Sequence, residues 1–140
     1  MRVIIDTNVI ISAVVFRSEK INDIIEYIAD VHELLLPSYV LNEVRRVVAN
    51  KFPSRHMDIE MFFVETPFVY VQTPQQIPSD LFEIRDEADA PILYTAILEN
   101  VDVLVTGDKD FHAVEIDRPE IMNIIQFAEK YVLGQESWDG

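Results

Sequence analysis

Apolar and polar positions fall along this chain in two kinds of block. Arg2–Ile5 is a short β-branched run that stops at Asp6, and Glu33–Leu36 is a second apolar run, stopped by Pro37. Phe68–Val71 and Asp102–Thr106 read as a third and a fourth strand, and Ile121–Ile125, beyond the interruption at Arg118-Pro119, as a fifth. Between them apolar residues recur at helical spacing. Val9–Phe16 predicts one helix, and Asn22–Ala29 another, with Ile21, Ile24, Ile25 and Ile28 on one face. Ser38 reads as the cap of a helix carrying Val40, Leu41, Val44, Val47 and Val48, and Ser54 as the cap of one reaching about Glu65. A further helix enters through Asp86–Asp89 and runs to about Glu99, and Gln126–Val132 is the last. Gln72–Ser79, with two prolines and three glutamines, reads as a connection, and Gln135–Gly140 as a loose tail after a single domain of residues 1–134.

Continuously apolar strands alternating with helices predict an α/β fold, a parallel sheet covered on both faces. Such sheets carry their sites outside the carboxyl ends of the strands, above all where strand order reverses. Asp6 and Asp108 both lie immediately after strands.

Composition narrows the picture. At 140 residues with 49% hydrophobic positions, the chain is long enough to bury about two-thirds of its extended surface. Its 25 acidic against 11 basic residues give a net charge of -14. That excludes gripping a nucleic acid through a broad basic surface. It does not exclude an enzyme acting on nucleic acid, because bound cations reverse the field inside an acidic pocket. The lack of cysteine excludes disulfides, thiol catalysis and thiolate metal sites. The apolar opening is interrupted by Asp6 and Asn8, so it reads as a buried strand entering a helix, not as a signal peptide or membrane span. A cytoplasmic location is the expectation.

Four carboxylates then stand out: Asp6, Glu43, Asp89 and Asp108. If they converge, two of them about 5 Å apart repel by about 3 kcal/mol at an effective dielectric near 20. Metal binding, proton uptake or water must offset this. Oxygen donors without thiolates point to Mg²⁺ or Mn²⁺. Each acid also has a plainer reading: Asp6 as a helix cap, Glu43 as a surface partner of Arg46, Asp108 and Asp110 as turn formers. Pro91 discriminates between Asp86 and Asp89, because proline fits a helix's first turn only if Asp89 is the N-cap. Asp86 is then a loop or outer group. Asn8, Ser12 and Thr106 are supporting candidates, and His32, His56 and His112 form no metal-spaced set.

These residues resemble those of the PIN-domain nucleases, especially the toxin components of prokaryotic toxin–antitoxin pairs. The likeness rests on Val3-Ile4-Ile5-Asp6-Thr7-Asn8-Val9, the helix bearing Glu43, Asp86 to Leu93, Leu104 to Phe111, and the closing Pro119-Glu120-Ile121 and Gln126-Phe127. It implies a three-layer α/β/α sandwich around a five-stranded parallel sheet of order 3-2-1-4-5. It also implies Mg²⁺- or Mn²⁺-dependent hydrolysis of RNA, leaving a 5′-phosphate and a 3′-hydroxyl. Asp6, Glu43, Asp89 and Asp108 take the family's acidic positions as catalytic metal ligands, with Asn8, Ser12, Asp86, Thr106 and Asp110 as auxiliaries. A cognate antitoxin and a homodimer are implied partners, with Met57–Phe63 a candidate association face.

Arg45, Arg46, Lys51 and Arg55 form the main basic cluster, beside Glu43, and Arg45, Arg46 and Lys51 are candidates for RNA contact. Neutralising nearby acids, or binding a partner, is the other reading of Arg45 and Arg46. Phe62, Phe63 and Phe68 read as core. The alternative function is a catalytically inactive PIN scaffold that binds RNA or a protein. A phosphatase of the haloacid-dehalogenase type is disfavoured because Asp6-Thr7-Asn8 lacks the paired Asp. Setting aside Asp6, Glu43, Asp86, Asp89, Asp108 and Asp110 leaves nineteen acids against eleven bases. A site built from these six therefore explains only part of the acidity.

Overall fold

The strands come first, because their side chains leave them no exposed alternative. Val3, Ile4 and Ile5 of β1 (Arg2–Ile5) and Leu34, Leu35 and Leu36 of β2 (Glu33–Pro37) are shut from solvent. Val103, Leu104 and Val105 of β4 (Val103–Val105) are equally buried. A strand buried on both faces needs helices above and below it. In a computed structural model, which describes residues 1–77, 82–83 and 89–132, that is what forms. Five parallel strands, completed by β3 (Val69–Val71) and β5 (Glu120–Met122), run in the order β3-β2-β1-β4-β5. Registers such as Ile4↔Leu35 and Ile4↔Leu104 place β1 at the centre. The result is the expected α/β/α sandwich.

The helices are α1 (Thr7–Val14), α2 (Glu19–Val31), α3 (Ser38–Lys51), α4 (His56–Glu65), α5 (Ala90–Leu98), α6 (Lys109–His112) and α7 (Ile124–Tyr131). α2 shows why amphipathic spacing suffices. Ile24, Ile25 and Ile28 are buried, while Glu19, Asp23, Glu26 and Asp30 stay in water. α1 packs against α2, α3 and α4, and α2 against α7. Phe62 and Phe63 are buried on α4, with Phe68 packed beside them, as expected for core. On the same helix Met57, Met61 and Val64 remain exposed.

Several element boundaries differ from the sequence expectation, each for a local reason. α1 begins at Thr7 and stops at Val14, leaving Phe16 exposed, and α2 starts earlier because the Ser18 hydroxyl accepts the Ile21 N–H. Ser38 does not cap α3; it is the helix's first residue, and its hydroxyl accepts the Thr73 N–H at 2.9 Å. Thr73 returns the favour, its hydroxyl accepting the Tyr39 N–H at 3.0 Å. The orphan amide of the helix is thus satisfied from a residue 34 positions away. Ser54 is likewise no cap: it lies inside a 3₁₀ turn, Pro53–Arg55, that leads into α4. β5 ends at Met122, not Ile125, because Asn123 and Gln126 form a reciprocal capping box that starts α7 two residues earlier than expected. The Gln135–Gly140 tail lies outside the described residues.

Candidate metal centre

Strand order reverses between β1 and β4, since the chain proceeds from β1 to β2 and β3 on one side and from β4 to β5 on the other. The carboxyl ends of β1 and β4 are therefore the place where a crevice opens. Asp6 follows β1 directly, and its N–H donates to the Val105 carbonyl at 2.9 Å, so it prolongs the ladder by one residue. Its backbone is extended, and α1 starts at the next residue. Asp6 is thus both the cap of α1 and part of the crevice; the two readings of this residue are compatible.

A chain of hydrogen bonds joins the acids. Asp6 Oδ1 accepts the Thr7 N–H at 2.7 Å, and Oδ2 accepts the Thr106 hydroxyl at 2.8 Å. The same Thr106 oxygen accepts the Asp108 N–H at 3.0 Å, and Asp108 Oδ1 accepts the Asp110 N–H at 2.8 Å. On the other side, the Thr7 hydroxyl donates to Glu43 Oε1. Two threonines, one from each switch-point strand end, therefore hold Asp6 between Glu43 and Asp108. Asp108 is the N-cap of the short helix α6, where the sequence had predicted only a turn. Asp89 stands at the N-cap position of α5 with Pro91 in the first turn, as the proline argument required. It makes no capping hydrogen bond to its own helix. Instead, one carboxylate oxygen each from Asp89, Asp108 and Asp110 lie within 4.8 Å of one another.

The electrostatics follow from burial. Asp6 is only 5% exposed, and burial raises its pKa above the usual carboxylate value. The hydrogen bonds from Thr106 and Thr7 oppose that rise, and the nearby Glu43 and Asp108 carboxylates add to it. Repulsion among acids held this close is what a divalent cation would relieve. An acidic cluster that can hold such an ion is therefore in place, on an oxygen-only donor set.

The other predicted residues distribute unevenly. Arg46 Nη2 lies 3.5 Å from Glu43 Oε2, one helical turn along α3. Arg45 points to α4, where it forms a two-point bond to Glu60 at 3.0 and 3.1 Å over the Phe63 ring. Arg55 pairs with Asp58. Lys51 and Asn8 are exposed, and Ser12 is half-buried on α1. Asp86 lies outside the described residues. Two residues here had no assigned role. Thr7 sat inside the quoted Asp6-Thr7-Asn8 motif, but its partner Glu43 is 36 positions away. His112 is exposed, and its Nε2 lies 2.9 Å from the Thr106 carbonyl oxygen.

An α/β/α sandwich of this strand order, with carboxylates gathered at the reversal, defines a class of nuclease-like domains. The PIN-domain family model matches residues 2–110, and the chain belongs to that family. No curated protein matches the chain. Among solved structures, a chain of VapBC2 from Rickettsia felis, crystallised with a DNA fragment from their promoter, superposes with a TM-score of 0.65 at 18% identity. The match covers 88% of this chain and 98% of that one. VapC20 from Mycobacterium tuberculosis, a Sarcin-Ricin loop cleaving toxin, superposes with a TM-score of 0.58 at 11% identity, over 79% of this chain and 93% of that one. At such identities the likeness speaks for the fold. Among the described residues no helix is long and apolar enough to cross a membrane.

Proposed function

We propose that this chain is a Mg²⁺- or Mn²⁺-dependent endoribonuclease, the toxin of a pair whose antitoxin blocks it, acting as a cytoplasmic homodimer. The observation that carries the reading is the convergence of Asp89, Asp108 and Asp110 within 4.8 Å beside the buried Asp6. Hard carboxylate oxygens without thiolates suit these two ions. Asp6, Glu43, Asp89 and Asp108 are assigned as ligands, with Asp86 and Asp110 as auxiliary acids. When bound, the ion supplies Lewis acidity, lowering the pKa of water and offsetting charge that develops on phosphoryl oxygens.

The chain's own residues do the positioning. Thr7 and Thr106 fix the Asp6 carboxylate, which leaves little motion to freeze out on binding. Glu43, held by Thr7, orients the attacking water by accepting its hydrogen. The water oxygen bonds to phosphorus, the P–O3′ bond breaks, and the 3′ oxygen takes up a proton. A 5′-phosphate and a 3′-hydroxyl result. Arg46, 3.5 Å from Glu43, is assigned to the RNA phosphate, with Lys51 further along α3 and Asn8 and Ser12 supporting placement, whereas Arg45 is held by Glu60. The fold shared with VapBC2 and VapC20 supports the toxin reading, and makes the Sarcin-Ricin loop, which VapC20 cleaves, a sensible first substrate.

The test is cleavage of single-stranded and structured RNAs with and without Mg²⁺ or Mn²⁺, with the ends mapped. Cleavage that needs the ion and disappears in both Asp6→Asn and Asp89→Asn supports the reading. A wild-type protein that binds the ion yet cuts none of the RNAs favours the scaffold instead.

A further inference from the structure

Gly107 is the weak point of the segment that aims Asp108 and Asp110. No heavy atom lies within 4 Å of where its Cβ would stand, and its φ is not in the left-handed region. Neither a close neighbour nor a special backbone angle therefore demands glycine here, and glycine brings more conformational freedom than any other residue. The helix that follows, α6, has four residues. Too few hydrogen bonds close within such a helix to hold it alone. Its position must come from outside.

Two side chains of α6 contribute to it. Phe111 is fully buried and pins one side of α6 to the core. An apolar anchor of this kind resists lifting but permits pivoting. The second attachment is His112, at the far end of the same helix. Its Nε2 lies 2.9 Å from the Thr106 carbonyl oxygen. A carbonyl oxygen only accepts, so Nε2 carries the hydrogen and donates. Thr106 is at this point already engaged on its other groups. Its N–H donates to the Met122 carbonyl, its hydroxyl donates to Asp6, and the hydroxyl oxygen accepts from Asp108. The His112 bond therefore closes a ring from residue 106 to 112 around Gly107, on a residue that also holds Asp6. Asp108 and Asp110 both lie inside that ring.

We infer that His112 is a positioning residue for the acidic centre: it locks the orientation of Asp108 and Asp110 relative to Asp6 through the Thr106 carbonyl. It touches neither metal nor RNA. The inference rests on the metal reading above, since what it positions are the proposed ligands.

Mn²⁺ titration of the full chain by calorimetry, together with amide hydrogen exchange at Asp108 and Asp110 in metal-free protein, tests it. Outer groups that orient metal ligands are typically worth 10–100-fold in affinity. His112→Ala should weaken Mn²⁺ binding about tenfold and speed exchange at both amides about tenfold, with a melting temperature near that of wild type. His112→Gln, whose amide nitrogen reaches about as far as Nε2, should restore both to within about threefold. A merely structural loss would lower the melting temperature and would not be selective for these two amides. Wild-type affinity and exchange in His112→Ala, with Mn²⁺ bound by both proteins, overturn the role of His112 and leave the metal reading standing. A wild-type chain that takes up no Mn²⁺ overturns the metal reading, and the role of His112 with it.

Discussion

The two ends of the sheet carry the same residue types and treat them in opposite ways. At the amino ends of the strands, Asp102 accepts the Arg2 N–H at 2.8 Å and faces Arg118 Nη2 at 2.6 Å. Arg2 in turn meets Glu33 at 2.5 Å, and Glu120 is met by Lys130 at 2.7 Å. Each of these acids has a cation of the chain itself against it, in partly exposed positions where such pairs are worth at most about 1 kcal/mol. At the carboxyl ends, Asp6 is buried between two threonines, and the charges that act on it are those of two further carboxylates. One end is electrically complete. The other is built as though a cation from outside were part of it.

The largest consequence is a contrast in what an amide replacement does. Asp108→Asn, at the crowded end, should weaken Mn²⁺ binding and RNA cleavage at least about 100-fold. Asp102→Asn, at the paired end, should leave both unchanged and lower stability by at most about 1 kcal/mol. Calorimetric Mn²⁺ titration, a cleavage assay and a denaturant melt read all three quantities. Equal effects of the two substitutions on Mn²⁺ binding would erase the distinction between the ends.

Much of this arrangement could be read from residues in order. β1, β2 and β4 announced themselves because burial on both faces demands an unbroken apolar run. The positions of Asp6 and Asp108 followed from strand ends, and that of Asp89 from where Pro91 can sit. Other features depend on partners distant in sequence. Nothing near Ser38 says that Thr73 will supply the helix cap, so a serine before a helical pattern was read by its local chemistry. The Thr7–Glu43 bond has the same character. α6 is too short for periodicity to register, and exists because Asp108 caps it and Phe111 is buried. The Asn123–Gln126 capping box was present at its proper spacing, but Ile121, Ile124 and Ile125 around it read as strand.

Stability should depend on pH with opposite sign at the two ends. Burial raises the Asp6 pKa, so between the unfolded value of 3.8 and the higher folded one the native state binds more protons than the unfolded state. Its contribution therefore falls as pH rises through that window, and at neutral pH the metal-free protein bears the full cost. Asp6→Asn should raise the melting temperature of metal-free protein at pH 7, with the gain fading below pH 3.8. Excess Mn²⁺ should reverse the order, since an ion at 100 times its Kd stabilises wild type by about 2.7 kcal/mol. Glu120 behaves the other way. The hydrogen bond from Lys130, then that from Tyr131, lowers its pKa below 4.5, so its contribution is present above that value and is lost as pH falls through the folded pKa. Glu120→Gln should lower stability at pH 7 by under about 1 kcal/mol, and the deficit should vanish in acid. Melts of both variants from pH 3 to 7 check the signs.

The smallest expected effect concerns Arg46, which brings the habit of the paired end to the crowded one. Its guanidinium lies 3.5 Å from Glu43, but its side chain is 64% exposed. An exposed pair along a helix contributes about 0.3–0.5 kcal/mol, so Arg46→Ala should barely move the melting temperature. The loss should appear instead where RNA meets the acids, because a phosphate approaching them is repelled unless a cation offsets the field. Cleavage at subsaturating RNA should fall about three- to tenfold, and the slope of log affinity against log salt should become shallower by about one, as for loss of a single phosphate contact. Arg45→Ala is the internal control. Its guanidinium is spent on Glu60 and the Phe63 ring, so its removal should cost stability and leave the salt slope as it was. A salt slope unchanged by Arg46→Ala would mean that Arg46, too, serves only to neutralise its neighbour.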